Sequence, residues 1–358
     1  MLNLYISPRN YISGYDNIDQ LSEHIKRFGK KFLILTTDVV YEILKDKIEN
    51  LEKDGYEITL QIGNLKCTYN EVEKLKEIMI KEEKDAVIGM GGGKMMDTAK
   101  AVSFMVKKPV ITVPTIAATC ASWASHSAMY TVDGISYEYM SVEKNPDLVF
   151  VDKKIIFEAP VRYIVSGMVD TLAKWIETRA YTRNINEKNI QLEIAIFLAK
   201  RAYNDIFTYG KKVVEDIKRR EYTKEVDLII EHIIFTAGLI GGIGGEACRA
   251  VAAHAINNGL TVLYDRYNEM LHGEVVGFGN IVQMFLDNEN EEDIIKLINL
   301  YKDIEAPIGL DMLNFDEISD DELTKVINKS MYREDTMWNL PYKVDFGMIK
   351  AAIEKADN

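Results

Sequence analysis

Short apolar runs alternate with polar or glycine-containing turns along the first part of the chain. Each run has a continuous apolar centre and ends near a Gly, Pro, Thr or Asp, which is typical of a strand buried in a parallel sheet. The runs lie at 31–35, 84–90, 109–113 and 148–151. Val72, Leu75 and Ile78 recur at helical spacing and predict a helix over 70–81. This alternation favours a parallel sheet with helices on both faces, whose ligands bind at the carboxyl ends of the strands.

The second part of the chain has a different pattern. From about Pro160 onward, strand-like runs are scarce and helical periodicity dominates, as at 190–203 and 228–239. The sequence therefore predicts an all-helical region after an α/β region. The stretch 238–245 is dense in glycine, which is typical either of a flexible lid or of closely packed helices, and we favour close packing.

A glycine turn, Gly91-Gly92-Gly93-Lys94, follows the run at 84–90 and precedes a predicted helix. Without side chains, its backbone N–H groups can approach a pyrophosphate, and the helix dipole favours the negative charge. The frame is not that of the G-x-G-x-x-G fingerprint, and a P-loop needs Ser or Thr after Gly-Lys. The sequence leaves two alternatives, a phosphate-binding turn and a plain tight turn between a strand and a helix.

Two of the five histidines lie in segments suited to holding a metal ion. His254 lies in an apolar stretch that ends in Asn-Asn-Gly, and His272 lies in Leu-His-Gly-Glu. Asp170 follows a glycine-containing turn and offers a third ligand. A catalytic metal typically takes three protein ligands and keeps one open position, and neutral imidazole is a common ligand. Either histidine alone is more typical of a structural or surface position, but the glycine turn supplies a second, independent signal.

Together these motifs resemble the glycerol dehydrogenase branch of the iron-containing alcohol dehydrogenase superfamily, over nearly the whole chain. The glycine turn resembles the family's pyrophosphate loop, 114–119 its nicotinamide-side loop, and 145–152 the strand before its helical domain. The remaining matches fall where the family keeps its metal ligands and the turn that presents them. They are Gly167, Asp170, His254 and His272.

The resemblance implies a dehydroquinate synthase-like fold, with an α/β NAD(P)-binding domain at 1–158 and an all-helical metal-binding domain at 159–358. It implies that Asp170, His254 and His272 hold one catalytic divalent ion, with zinc preferred over iron or manganese. Such an ion activates an alcohol for hydride transfer to a nicotinamide. The cofactor-binding residues that the resemblance implies are Asp38, Gly91, Gly92, Gly93, Lys94, Asp97, Thr115, Thr119 and Tyr130.

Two departures from the glycerol branch bear on the substrate. Lys174 stands one helical turn after the aspartate ligand, where the four-ligand iron branch carries a histidine, so a three-ligand, zinc-like site is expected. Cys120 replaces the aspartate with which the glycerol branch binds a polyol hydroxyl. With Trp123 and His126 expected nearby, Lys174 favours an anion pocket like that of a hydroxycarboxylate dehydrogenase, which interconverts 2-oxo and 2-hydroxy acids. The alternative is that Lys174 pairs with a carboxylate such as Asp170 or Glu177.

A third departure bears on the cofactor. Glycerol dehydrogenases usually carry a ribose-binding aspartate at the position aligned with Thr37, and here Asp38 comes one residue later. A carboxylate there would repel the 2′-phosphate of NADP, whereas a threonine would not. The expected cofactor is therefore NAD(P), and the sequence leaves both NAD and NADP as alternatives.

Composition narrows the classes of function. The 358 residues suffice for two domains, and a formal net charge of −13 argues against a nucleic-acid or anionic-membrane partner. The N-terminal segment does not resemble a signal peptide, and no stretch is expected to approach transmembrane length.

Cys67, Cys120 and Cys248 show no paired framework, which indicates a reducing, cytoplasmic compartment. An alternative role for Cys120 is that of a nucleophile, with His126 as its base.

Other functions of proteins with the same fold fit this sequence less well. A dehydroquinate synthase-type enzyme would present a glutamate as its first metal ligand, and a glycerol-1-phosphate dehydrogenase would need phosphate ligands that the sequence does not reveal. A non-catalytic paralogue is disfavoured because the glycine turn and all three candidate ligands are present. The expected partners are a small alcohol or carbonyl substrate and further copies of the chain, since the resemblance implies a homo-oligomer.

Overall fold

The computed structural model describes residues 3–357, and the chain divides between Ala159 and Pro160 into two compact units. Ala159 is extended, with ψ of 158°, and it ends the last helix of the first unit. A residue before proline is disfavoured in the helical region, which explains why the helix stops there. The division lies one residue beyond the expected boundary between 158 and 159.

The first unit is built on a six-stranded parallel sheet with the strand order β1-β8-β5-β4-β2-β3, beside a separate β6–β7 hairpin. The strands are β1 (Tyr11–Gly14), β2 (Lys31–Thr36), β3 (Glu57–Ile62), β4 (Ala86–Gly91), β5 (Val110–Pro114), β6 (His126–Tyr130), β7 (Ser136–Ser141) and β8 (Leu148–Asp152). The helices are α1 (Leu21–Ile25), α2 (Asp38–Lys53), α3 (Tyr69–Lys81), α4 (Gly93–Val106) and α5 (Lys153–Glu158). The predicted α/β fold with a parallel sheet is confirmed.

The sheet separates two hydrophobic cores because successive side chains of a strand point to opposite faces. In β2, Phe32 and Ile34 pack with the apolar face of α2, whereas Leu33 and Leu35 pack with residues of α3 and α4. All four are fully buried, and burying each such side chain stabilises the fold by about 1.5–3 kcal/mol. Helices therefore cover both faces of the sheet, as predicted.

Four strands, β1, β3, β6 and β7, do not stand out in the sequence. None is buried over its length, and β6 alternates between buried and half-buried residues. They therefore lack the continuous apolar run that marks β2, β4, β5 and β8. The predicted helix over 70–81 is α3, whose first turn is capped by the Thr68 hydroxyl, which accepts the Glu71 N–H at 3.2 Å.

The described residues of the second unit, 160–357, form helices joined by turns and loops and contain no strand. Its helices are α6 (Val161–Thr182), α7 (Ile190–Lys218), α8 (Lys224–Glu231), α9 (Ala237–Gly244), α10 (Ala252–Leu260), α11 (Tyr264–Tyr267), α12 (His272–Leu286), α13 (Glu291–Asp303), α14 (Asp320–Ser330) and α15 (Phe346–Ala356). α7 runs well beyond the predicted 190–203, because Val213, Val214 and Ile217 continue its buried face. α12 packs against both α6 and α10, and these three helices carry the candidate metal ligands.

The glycine-dense stretch 238–245 forms α9 and the start of the next short helix, which favours close packing over a lid. A Cβ at Gly244 would lie 2.9 Å from the Cβ of Ala195 on α7, so glycine allows the two helices to approach. By length and mean hydropathy the helical run Lys224–Cys248 could cross a membrane, so the expectation that no stretch approaches transmembrane length is wrong. Since 61% of its apolar window is buried inside the protein, it is packed as a core helix.

Candidate active site

Three side chains from three helices converge in the second unit. Asp170 lies within α6, His254 in the first turn of α10, and His272 is the first residue of α12. The Nε2 atoms of both histidines lie 3.7 Å from Asp170 Oδ1, and one candidate ligand atom from each residue lies within 4.8 Å of the others. The structure thus brings together the three residues predicted to hold a metal ion.

The chemistry of this cluster fits a divalent metal. Asp170 is 3% exposed, and its Oδ1 is buried without a hydrogen-bond partner among the described residues. Burying an unpaired carboxylate oxygen is costly, and a cation would relieve that cost. Zinc ligands at about 2.0–2.2 Å in tetrahedral positions lie about 3.3–3.6 Å from one another, so the 3.7 Å separations need only a small contraction.

His272 is held in the neutral form that a metal requires. Although 30% of its side chain is exposed, burial of the ring lowers the pKa of His272 to about 4, against the opposing effect of the Asp170 carboxylate. The imidazole therefore keeps a lone pair for a metal at neutral pH. Glu274 anchors the helix start, because it pairs bidentately with Arg162 and accepts the Leu271 N–H at 2.9 Å.

Glu177 is a site residue whose role the sequence did not reveal. Its Oε2 lies 2.7 Å from His254 Nδ1, and its Oε1 accepts the backbone N–H groups of Val251 at 2.7 Å and His254 at 3.1 Å. Burial alone would raise the pKa of the Glu177 carboxyl, but His254 and Lys174 hold that pKa below its ordinary value. The available signal was spacing, since Glu177 follows Asp170 by seven residues on one helix and so shares its face.

Lys174 lies on the same stretch of α6 and is 7% exposed. Its Nζ donates to the carbonyl oxygen of Arg249 at 3.2 Å. Its charge helps lower the pKa values of both His272 and Glu177, which places the cation within electrostatic reach of the ligand cluster. Both sequence interpretations of Lys174, pairing with a carboxylate such as Asp170 or Glu177 and binding an anion, are compatible with this position.

The glycine turn of the first unit lies at the carboxyl edge of the sheet. Gly91 ends β4 with φ of +152°, a conformation that favours glycine, and Gly92 precedes the first residue of α4. A Cβ at Gly93 would lie 3.5 Å from the Thr119 hydroxyl, and the Thr115 N–H donates to the Gly91 carbonyl at 3.1 Å. The predicted phosphate-binding turn and the two threonines are therefore neighbours, at a helix N-terminus suited to an anion.

Asp97, a predicted cofactor residue, lies on α4 and forms an ion pair within the first unit. Its side chain is 13% exposed and pairs with the buried Lys100 at 2.8 Å. The Lys100 ammonium also donates to the carbonyl oxygen of Ala124 at 3.2 Å and to that of His126. The Asp97 carboxylate thus anchors Lys100 within the unit, and its contact with a cofactor stays a prediction.

Two further predicted cofactor residues, Asp38 and Tyr130, occupy different surroundings. Asp38 is an exposed first residue of α2 at the carboxyl end of β2, which pairs with β4 in the sheet. The neighbouring Thr37 hydroxyl caps α2 by accepting the Val40 N–H at 3.3 Å. Tyr130 ends β6 of the hairpin, and its N–H donates to the Cys67 carbonyl at 2.9 Å. Lys94, also predicted, is exposed in the first turn of α4.

The predicted substrate residues of the first unit differ in accessibility. Trp123 is 2% exposed, its indole N–H donates to the Ile6 carbonyl at 3.2 Å, and its ring packs on Tyr11. Trp123 therefore packs in the core, and its role beside a substrate stays a prediction. His126 is half-buried and meets the ring of Tyr139 edge to face, and Cys120 is a half-buried thiol.

Comparisons with known proteins identify the family of the chain. The family model for iron-containing alcohol dehydrogenases matches residues 8–153. The chain is 33% identical to a glycerol dehydrogenase from Thermotoga maritima, over 100% of this chain and 97% of the relative. It is 30% identical to hydroxycarboxylate dehydrogenase A from Escherichia coli, over 82% and 80% of the two chains. The crystal structure of a probable glycerol dehydrogenase from Sinorhizobium meliloti superposes with a TM-score of 0.89 at 27% identity, covering 99% of this chain and 98% of the other.

Proposed function

The chain belongs to the iron-containing alcohol dehydrogenase family, and from that premise we propose that it is a metal-dependent, NAD(P)-linked dehydrogenase of a small polyol such as glycerol. That it is an alcohol oxidoreductase follows from the family and from its full-length relatives. The observation that carries the finer proposal is the convergence of Asp170, His254 and His272 around a buried carboxylate oxygen without a hydrogen-bond partner.

The donor set suits the proposed chemistry. A divalent ion bound by Asp170, His254 and His272 would supply Lewis acidity, which lowers the pKa of an alcohol and polarises the carbonyl in the reverse direction. One carboxylate and two neutral imidazoles offset only part of a dication's charge, so the site would stay electrophilic. The three side chains are fixed on packed helices, which favours the precise geometry that hydride transfer needs.

The proposed cofactor is NAD(P), held by the glycine turn of the first unit. The backbone N–H groups at the start of α4 are suited to a pyrophosphate, and Gly91 and Gly92 carry no side chain that could hinder its approach. Asp38 and Thr37 lie at the carboxyl end of the neighbouring β2, where the adenosine ribose is expected. Since Asp38 is offset by one residue from the aligned position, both NADH and NADPH belong in the activity test.

A 2-hydroxy acid is the second candidate substrate. The buried cation Lys174 supports it, because an ammonium near the ligand cluster could pair with a substrate carboxylate. The similarity to a hydroxycarboxylate dehydrogenase points the same way. Two contacts of Lys174 favour the polyol instead. The Lys174 ammonium already donates a hydrogen bond to the Arg249 carbonyl and interacts with the charge of Glu177, so it has less need of a substrate carboxylate.

Replacing Lys174 with alanine separates the two substrates. If Lys174 binds a substrate carboxylate, kcat/KM for reduction of 2-oxobutanoate should fall about 10- to 100-fold, the worth of one charge-assisted hydrogen bond. The rate with dihydroxyacetone should change far less. The measurement is oxidation of NADH and of NADPH, followed by absorbance, in enzyme loaded separately with zinc, iron or manganese.

The control is Lys200→Ala, which removes an exposed lysine of α7. It should leave both substrates unaffected. Preference for dihydroxyacetone that does not depend on Lys174 would support the polyol and exclude the 2-hydroxy acid. Reduction of neither compound with any metal or cofactor would overturn both.

Two broader properties, the location of the protein and its assembly, are also proposed. A reducing, cytoplasmic location is supported by three cysteines that form no disulfide. A homo-oligomer is supported by an exposed apolar stripe on α7, where Ile190, Ile194 and Phe197 recur at helical spacing with exposures of 62%, 40% and 67%.

A further inference from the structure

The Glu177 carboxylate collects three hydrogen-bond donors that all belong to the segment carrying His254. Two are backbone N–H groups, those of Val251 and His254, and the third is Nδ1 of the His254 ring. Glu177 is 1% exposed and comes from a different helix, α6. One buried carboxylate thus holds both the main chain and the ring of a candidate metal ligand.

This contact decides which ring nitrogen of His254 is available to a metal. An ionised carboxylate only accepts hydrogen bonds, so the 2.7 Å contact to Oε2 requires a proton on Nδ1. In a neutral imidazole the lone pair is then on Nε2. Nε2 is the atom that lies 3.7 Å from Asp170 Oδ1, on the side of the ring where the other candidate ligands lie.

The same carboxylate holds the helix that presents the ring. Val251 precedes the first residue of α10 and has no side-chain oxygen with which to cap it. Glu177 Oε1 accepts two of the N–H groups that the helix start leaves without partners. A shift of Glu177 would therefore move the first turn of α10, where His254 lies, as well as rotate the ring.

We propose that Glu177 is a positioning residue which fixes the Nδ1–H tautomer and the orientation of His254, and thereby sets the metal affinity of the site. The inference rests on the metal dependence proposed above. A carboxylate behind a metal-bound histidine typically contributes 10- to 100-fold in affinity, roughly, because it fixes the ring and increases its basicity.

Glu177→Gln is the informative substitution because it keeps the shape and removes one acceptor. The carboxylate receives donors on both oxygens, whereas an amide offers one acceptor oxygen and one donor nitrogen. The amide oxygen should face the two backbone N–H groups, because a backbone N–H can only donate a hydrogen bond. Its nitrogen then faces Nδ1, so the imidazole must move its proton to Nε2, the atom needed by the metal.

The expected result is a folded variant whose zinc affinity, measured by competition with a chromophoric chelator, is weaker by roughly 10- to 100-fold. In the metal-free variant, ¹⁵N chemical shifts of the His254 ring should report the Nε2–H tautomer, whereas the metal-free wild type should report Nδ1–H. A residue with only a structural role would not change that tautomer.

Asp205→Asn is the matched control. Asp205 is also a buried carboxylate of the helical unit, and it contacts Nε2 of the buried His232 at 2.9 Å. Among the described residues, neither belongs to the cluster of candidate metal ligands. This variant should disturb a comparable carboxylate–imidazole pair and leave zinc affinity unchanged.

Three results would overturn the inference, and they are distinguishable. Wild-type zinc affinity in Glu177→Gln would show that Glu177 does not set the affinity, while leaving the proposed function intact. An Nε2–H tautomer in the metal-free wild type would refute the positioning role even if the variant failed to fold. A wild-type protein that binds no zinc, iron or manganese would refute the proposed metal dependence as well.

Discussion

Asp170→Asn should lower the rate of carbonyl reduction by on the order of 10³-fold. The substitution keeps the size of the side chain but removes the only negative charge among the three candidate ligands. If loss of metal binding removes about 4 kcal/mol of Lewis-acid stabilisation of the transition state, the rate falls by that factor. The steady-state rate and the metal content of the purified variant should be measured together.

The metal content distinguishes a loss of binding from a loss of folding. We expect Asp170→Asn to fold, because Asp170 Oδ1 has no hydrogen bond within the described residues that the amide would break. Asp216→Asn is a control for carboxylate loss, since Asp216 is buried among Lys212, Arg219 and Thr223 on or near α7. Wild-type activity in folded, metal-poor Asp170→Asn would contradict the assignment of Asp170.

Gly279→Ala should destabilise the protein by about 2–3 kcal/mol and weaken metal binding. A Cβ at Gly279 of α12 would lie 2.3 Å from the carbonyl oxygen of Ala253, so α10 would have to move. Overpacking of this kind typically costs about 1–3 kcal/mol, and occasionally more. Because Ala253 precedes His254, the displacement would reach a candidate ligand. Denaturant unfolding and zinc titration measure the two effects.

Gly277→Ala, on the same helix, is the control. Its Cβ would meet Val169 at 3.4 Å, an ordinary contact, and alanine is favoured over glycine in a helix by about 0.5–1 kcal/mol. Its stability should therefore be unchanged or slightly raised. Equal destabilisation by both substitutions would mean that close packing of α12 on α10 is not the cause.

Local pattern was enough to predict the elements that are buried over their length. β2, β4, β5 and β8 each carry a continuous apolar run, and the glycine turn follows directly from the end of β4. The hairpin β6–β7 was not predicted because β6 alternates between buried and half-buried residues and β7 is largely exposed, so neither strand carries a continuous apolar run. The predicted helix over 190–203 is shorter than α7 for a related reason. In the second half of α7, buried apolar residues alternate with charged ones, so the apolar pattern is weaker there.

Site residues could be predicted where a sequence motif or a helical spacing indicated them. Asp170 and Lys174 share a helix, so their common face follows from the sequence. The role of Glu177 does not, because its partner His254 lies 77 residues away and the contact exists only once α6 and α10 have packed. The burial of Trp123 could not be predicted either, because its partners Ile6 and Tyr11 lie more than 100 residues away in the sequence.

The most direct test of metal-dependent catalysis is removal and return of the metal. Enzyme stripped with a chelator should lose its activity with NADH and whichever of dihydroxyacetone and 2-oxobutanoate is the better substrate. Titration with zinc, iron or manganese should restore the rate linearly until one equivalent per chain has been added, because Asp170, His254 and His272 form a single cluster. Full activity in protein shown by elemental analysis to be metal-free would contradict the account.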